Sequence, residues 1–160
     1  MALSTRIKGS PTAPRISDEA LRPFVGYSIK RAMNVIRADL RNVLDPMDLR
    51  MITFSALTLI GDNPALSQAQ LAAALSVERP NLVAVIDELY GRGLISREKV
   101  PTDRRTYALR LTTQGARLLA RATEAVQAHE DKLLEGLDPD DLATLRRVLA
   151  DIERNGTERS

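Results

Sequence analysis

The sequence contains no cysteine and no tryptophan, a single histidine, and aromatic residues at only 3%. Without cysteine there is no disulfide and no thiol redox chemistry. One histidine and no cysteine also exclude a structural zinc site of the usual kind. The N-terminal stretch MALSTRIKGSPTAPR has no apolar run of signal-peptide length. No segment approaches the roughly 20 apolar residues that a bilayer span requires. A cytoplasmic protein with no membrane partner is expected. Catalytic signals are missing too: there is no Gly-rich phosphate loop and no carboxylate cluster of the kind that does chemistry. The run DPDD at 138–141 reads instead as a helix N-terminus, with aspartates on the positive end of the dipole. No enzyme, cofactor or metal is expected.

What is present is aliphatic. With so few aromatics, the core of a 160-residue chain must be Leu, Ile, Val and Ala. That composition suits helices, and the length suits one domain with an arm. Net charge is only +2, but it is unevenly placed. Residues 1–50 hold nine Lys/Arg against five Asp/Glu, and residues 113–160 hold seven against ten. A modest basic face is compatible with nucleic acid, although ordinary solvated surface accounts for the charge equally well.

Residues 1–16, rich in Ser, Thr, Pro and Gly with three cations and no anion, read as a flexible basic arm. From Ser17, apolar residues recur at helical spacing through Leu21, Val25, Ile29, Ala32, Ile36, Leu40 and Val43. Ser17 is the expected N-cap. Pro23 either kinks this helix or marks its true start, and Asp45-Pro46 ends it. A second helix is expected over about Met47 to Ile60. Ser67 then caps a short helix, a tight turn passes through Ser76-Val77, and a further helix starts near Glu78 or Arg79 with Pro80 in its first turn. Leu82, Val85, Ile86 and Leu89 form its buried stripe, and Gly91 and Gly93 bracket its end. LISREKV and TYALRLT read as two short strands, with PTDR as turn chemistry between them. Thr112 or Thr113 caps the next helix, which runs to about Glu135 with Ala122, Val126, His129 and Leu133 on its stripe. Gly136 ends it. A last helix carries Leu142, Leu145, Leu149 and Ile152 on one face.

Helix, tight turn, helix and β-hairpin make a winged helix-turn-helix. The major groove of B-DNA is about 12 Å wide and admits one α-helix. The first helix of such a pair crosses the backbone, and the second enters the groove with its N-terminal residues toward the bases. A hairpin alongside can put a cation into the neighbouring minor groove, which is narrow and most negative at A·T-rich DNA.

The run Asp103-Arg104-Arg105-TYALR-Leu111-Thr112-TQ-Gly115 resembles the wing signature of the MarR family of bacterial regulators. That signature is Asp, any residue, Arg, five residues, Leu-Thr, two residues, Gly, and every fixed position is matched. Upstream, LSQAQLAAALSVERPNLVAVIDELYGRGLI resembles the family's helix-turn-helix. The resemblance implies a mainly α fold with a small β-hairpin wing. Its parts are an N-terminal dimerisation helix (17–46), a winged helix-turn-helix DNA-binding domain (47–112) and C-terminal dimerisation helices (113–155). It implies a homodimer on a pseudo-palindromic operator in double-stranded DNA, most simply a repressor. It also implies a small-molecule effector, aromatic or anionic, such as an aromatic acid or its coenzyme A thioester.

Residue by residue, Arg105 matches the wing arginine of the minor groove and Asp103 the aspartate that orients it or its neighbour. Arg104 matches a phosphate contact. Ser67 and Gln68 stand where a helix N-terminus approaches phosphate. Arg79, Pro80 and Asn81 open the recognition helix. Asn81 either pairs with adenine or caps the backbone, and the bland reading of Arg79 is a local ion pair with Glu78. The family often carries Ser or Thr followed by Arg in the next turn, where this chain has Val83 and Ala84. An apolar pair can touch a thymine methyl but donates no hydrogen bond. For Arg92, Arg97 and Lys99, solvated surface weighs at least as much as DNA contact. For the effector, the resemblance points to Tyr27, Lys30 and Arg31 on the first helix and Met51 and Phe54 on the second. The methionines Met33, Met47 and Met51 are more often gap-filling core. His129 reads as a core or interface residue, or as a ligand contact. A protein-binding or non-specific DNA-coating winged-helix module is the alternative.

Overall fold

The computed structural model describes residues 16–100 and 103–158, with backbone alone for residues 99, 100 and 103–106. The arm expected over 1–16 thus lies, apart from Ile16, outside the described residues. The described residues fall into two compact units, divided between Ile36 and Arg37. In chain order the elements are α1 (Val25–Leu44), a 3-10 turn (Asp45–Met47), α2 (Met51–Asp62), β1 (Leu66–Ser67), α3 (Gln68–Leu75), α4 (Arg79–Gly91), β2 (Ile95–Val100), β3 (Asp103–Leu111), α5 (Thr113–Leu133) and α6 (Pro139–Thr157). The fold is mainly helical with one small antiparallel sheet, ordered β1-β3-β2. No helix among the described residues is long and apolar enough to cross a membrane.

The first helix starts at Val25, seven residues after the first position an N-cap at Ser17 would give and just past Pro23, the alternative start. The amides of Leu21 and Arg22 both bond the Asp18 carbonyl, so one turn forms. Pro23 then has no N–H to continue the ladder, and α1 begins afresh at Val25. Ser17 is therefore no N-cap of α1; its hydroxyl accepts the Glu19 amide, at 3.4 Å. The second helix also starts late. Asp45-Pro46-Met47 forms a 3-10 turn, Asp48 takes a left-handed conformation with φ 50°, and α2 begins at Met51. Thr53 fixes that start, since its hydroxyl accepts from the Arg50 amide at 2.8 Å and donates to the Arg50 carbonyl at 2.9 Å.

The core of the larger unit is aliphatic. Leu44, Leu49, Leu57, Ile60, Leu71, Ile86, Leu89, Leu94 and Leu109 are essentially sealed from solvent. The α4 stripe of Leu82, Val85, Ile86 and Leu89 is buried as its spacing predicts. The hairpin differs from its sequence reading. Asp103 and Arg104, expected in the turn, belong by backbone to β3, where Asp103 pairs with Val100 after a register shift. Short β1 adds a third strand through Leu66↔Leu109 and Ser67↔Ala108. Ala108 and Leu109 are consequently both buried while Tyr107 is exposed, so the strand does not simply alternate buried and exposed positions. Helix α6 forms with Asp138 as its cap, accepting the Asp140 amide at 2.7 Å. Its Leu145, Leu149 and Ile152, together with Leu137 at its approach, are 40–54% exposed.

Candidate nucleic-acid interface

Ser67 sets the start of α3. Its hydroxyl accepts the Gln70 amide at 3.2 Å, while the Gln70 side chain accepts the Ser67 amide at 3.0 Å. This reciprocal box satisfies two amides that a helix start leaves unpaired. At the other end Ser76 adopts φ 51° and reverses the chain. Helix α4 then starts at Arg79, with Glu78 at the cap position and Pro80 in the first turn. The missing Pro80 amide costs nothing there, because first-turn amides lack intrahelical partners anyway. Leu82, Val85, Ile86 and Leu89 hold α4 on the core, which leaves Arg79, Pro80, Asn81, Val83, Ala84, Asp87 and Tyr90 on the solvent side.

A cleft of about 540 Å³ opens between α3, α4 and the sheet. Ser67, Gln68 and Arg79, all expected at DNA, line it together with Val83, Arg97 and Tyr107. Pro80, Asn81 and Ala84 occupy the adjoining exposed strip of α4. Among the described residues, no hydrogen bond or ion pair involves the Arg79 or Asn81 side chain, so no local Glu78–Arg79 pair competes for the cation. The side chains of Asp103, Arg104 and Arg105 lie outside the described residues, as does that of Lys99.

The two remaining cations of uncertain role separate clearly. Arg92 is structural. Its guanidinium donates to the carbonyls of Met47, at 3.0 Å, and of Asp48, tying the end of α4 to the turn before α2. Arg97 faces the cleft. It is ion-paired with Asp87 of α4 and lies 4.7 Å from the Tyr90 ring centroid. Tyr107 is a residue of the site that the sequence did not single out, and Arg97 is one for which it left solvated surface and DNA contact both open. The usable signal was that both face a strand side next to an exposed helix stripe, and this requires the register.

The residues expected at an effector fall in different places. Tyr27 and Arg31 lie on α1, and both bind the carboxylate of Asp18, Tyr27 at 2.8 Å and Arg31 at 3.3 Å. These contacts, the Tyr27 hydrogen bond foremost, hold the Asp18 carboxyl below its ordinary range. Lys30 is exposed nearby on α1. Met51 lines a separate cleft of about 750 Å³, where Arg37, Arg41 and Arg50 surround an apolar floor that includes Leu40, Leu44 and Leu75. Phe54 packs, half-buried, against the core. His129 lies in neither place. It lines a smaller hollow with Asp39, Asn42 and Lys132, and its Nε2 is buried without a hydrogen-bond partner among the described residues.

Known proteins share this arrangement. A model of the MarR family matches residues 49–107. A Thauera aromatica protein assigned as a transcriptional regulator for the hcr operon is 37% identical over 105 residues, spanning 66% of this chain and 63% of that protein. The transcriptional repressor CouR bound to a 23-mer DNA duplex superposes with a TM-score of 0.83 at 38% identity, covering 88% of this chain and 99% of that one. CouR bound to p-coumaroyl-CoA superposes at 0.79 with 37% identity over the same shares. With the expected wing signature in place and a solved repressor matched along almost its whole length, the chain belongs to the MarR family.

Proposed function

We propose that this chain is a homodimeric, sequence-specific repressor that binds a pseudo-palindromic operator and leaves it when an aromatic acyl-coenzyme A thioester, or a related aromatic acid, binds. It works in the cytoplasm, and its role is regulatory rather than catalytic. The observation that carries the DNA reading is helix α4. Its N-terminal turn presents Arg79 and Asn81, exposed and without internal partners among the described residues, beside the capped start of α3 and the hairpin. Arg79 and Asn81 read base edges or phosphate, Ala84 and Val83 meet thymine methyls, and Arg104 and Arg105 of the wing reach backbone and minor groove with Asp103 orienting them. Ser67 and Gln68 stand beside a phosphate at the start of α3, to which Gln68 brings its amide, that of Ser67 being held by Gln70. The exposed apolar face of α6 suits burial against a second copy.

The effector reading rests on the cleft around Met51. Arg37 and Arg41 supply cations for phosphate or carboxylate, Arg50 beside them being ion-paired with Glu88, and the leucine floor suits an acyl or aromatic group. The CouR repressor solved with p-coumaroyl-CoA is the relative that favours a thioester. Tyr27, Lys30, Arg31, Phe54 and His129 remain the further candidates for contact. Release needs only a few kcal/mol of difference in effector affinity between two dimer shapes. The test is a mobility shift on the DNA upstream of the protein's own gene, repeated with aromatic acids and their thioesters. A discrete shift that survives excess bulk DNA and is released by one compound supports the reading. A shift lost to bulk DNA moves the weight to a non-specific coating module.

A further inference from the structure

The recognition helix carries an anion where a DNA-binding surface should not want one. Arg79, Val83, Asp87 and Tyr90 fall on one stripe of α4 at spacings of four, four and three. Asp87 is the outer member of its ion pair, with its side chain 60% exposed against 27% for Arg97. Arg97 comes from β2, opposite Leu109 of β3, and Tyr90 covers its guanidinium from the α4 side. Its Nε is buried with no partner among the described residues, so its accessible charge is directed to the carboxylate. A phosphate approaching Arg97 through the cleft therefore meets Asp87 as well.

We propose that Asp87 is a specificity-determining residue that keeps Arg97 from acting as a phosphate clamp, holding down the protein's affinity for DNA of arbitrary sequence. This rests on reading α4 and the wing as the DNA-contacting surface. Sequence-independent affinity comes from cations that replace counterions on phosphates. A cation already neutralised by a neighbour displaces none. Base contacts from the first turn of α4 lie two turns away from Asp87 and do not use Arg97. Neutralising Arg97 thus penalises binding that relies on phosphates alone more than binding that also reads bases.

The experiment compares wild type, Asp87→Asn, Asp87→Glu and the double variant Asp87→Asn/Arg97→Gln on a non-operator duplex and on the operator, over a salt series. Asp87→Asn should raise non-operator affinity about threefold, the size expected of freeing one exposed pair, and raise operator affinity less. Its plot of log affinity against log salt should steepen by about 0.9, one added phosphate contact. Adding Arg97→Gln should return both quantities to wild type, and Asp87→Glu should not depart from it. A merely structural role would weaken binding instead. Unchanged or weaker non-operator binding by Asp87→Asn, or a gain that survives Arg97→Gln, overturns the proposal. Asp87→Ser carries the same expectation should Asp87→Asn unfold. A wild type that binds neither duplex defeats the DNA reading itself, whereas a steep wild-type salt response with an inert Asp87→Asn defeats this inference alone.

Discussion

A β-carbon added at Gly115 would lie 1.9 Å from the carbonyl oxygen of Leu94. The same carbonyl accepts the Thr112 amide at 3.1 Å. The Thr112 hydroxyl donates to the Gly93 carbonyl at 2.7 Å and accepts the Gly115 amide at 3.0 Å. The Leu-Thr-x-x-Gly part of the wing signature is thus a joint. It ends β3, caps α5 and lets the first turn of α5 sit directly on the start of β2.

Gly115→Ala should break that joint. The clash is with backbone, which cannot swing aside like a side chain, so a loss of about 2 kcal/mol or more is expected. Urea unfolding followed by circular dichroism measures it. A variant as stable as the parent would show that α5 can lift off Leu94 without cost.

Arg92→Ala should destabilise without touching DNA. It removes a charged donor from two carbonyls and leaves those of Met47 and Asp48 to water, at a cost of about 1–2 kcal/mol. Operator affinity measured well below the unfolding midpoint should stay within twofold, the expectation for a residue that braces the turn. A large affinity loss with unchanged stability would instead make Arg92 a DNA contact.

Arg105→Ala should act the opposite way. Operator binding should weaken at least about tenfold, equivalent to about 1.4 kcal/mol, with the dimer and the unfolding curve unchanged. Sedimentation and a mobility shift settle both parts, and unaltered affinity would remove Arg105 from the minor groove.

Arg41→Ala tests the arginine-lined cleft. DNA affinity without effector should be retained, while the concentration of acyl-CoA needed for release should rise about fivefold or more, as for loss of one charge-assisted contact. Unchanged release would shift the effector away from the Met51 cleft, with the Tyr27–Arg31 side of α1 next to be tested.

Asp18 gives a pH prediction. Its folded-state pKa is depressed by the Tyr27 hydroxyl, then by Arg22 and Arg31. A depressed carboxylate contributes its stabilisation fully above the unfolded-state value and loses it as pH falls through the lower folded-state value. A carbon-detected titration should therefore place the Asp18 inflection below that of an ordinary aspartate. Tyr27→Phe should move it back up, and an inflection unaffected by Tyr27→Phe would remove the hydroxyl as its cause.

Local chemistry explains which parts of this fold were legible in advance. The cap at Ser67, the reversal at Ser76, the α4 stripe and the cap at Thr112 each depend on residues within one or two turns of each other, so spacing and residue type suffice. The start of α1 was left between Ser17 and Pro23 for a local reason that periodicity hides. Apolar spacing continues through Pro23, but the hydrogen-bond ladder cannot. Strand β1 was missed because two residues carry no pattern of their own; Leu66 and Ser67 are strand only by pairing with β3. That pairing in turn buries Ala108 beside Leu109.

The sequence alone determined an aliphatic, cysteine-free, helix-rich chain with a helix-turn-helix and a wing signature, because caps, turns and periodic stripes are short-range. Tertiary structure alone decided which arginines are available. Arg92 and Arg97 are indistinguishable as letters, yet one is spent on the Met47 and Asp48 carbonyls more than forty residues away, while the other is brought by β2 against Asp87 and Tyr90. The use of a charge depends on the groups within a few ångströms of it, and those come from distant parts of the chain.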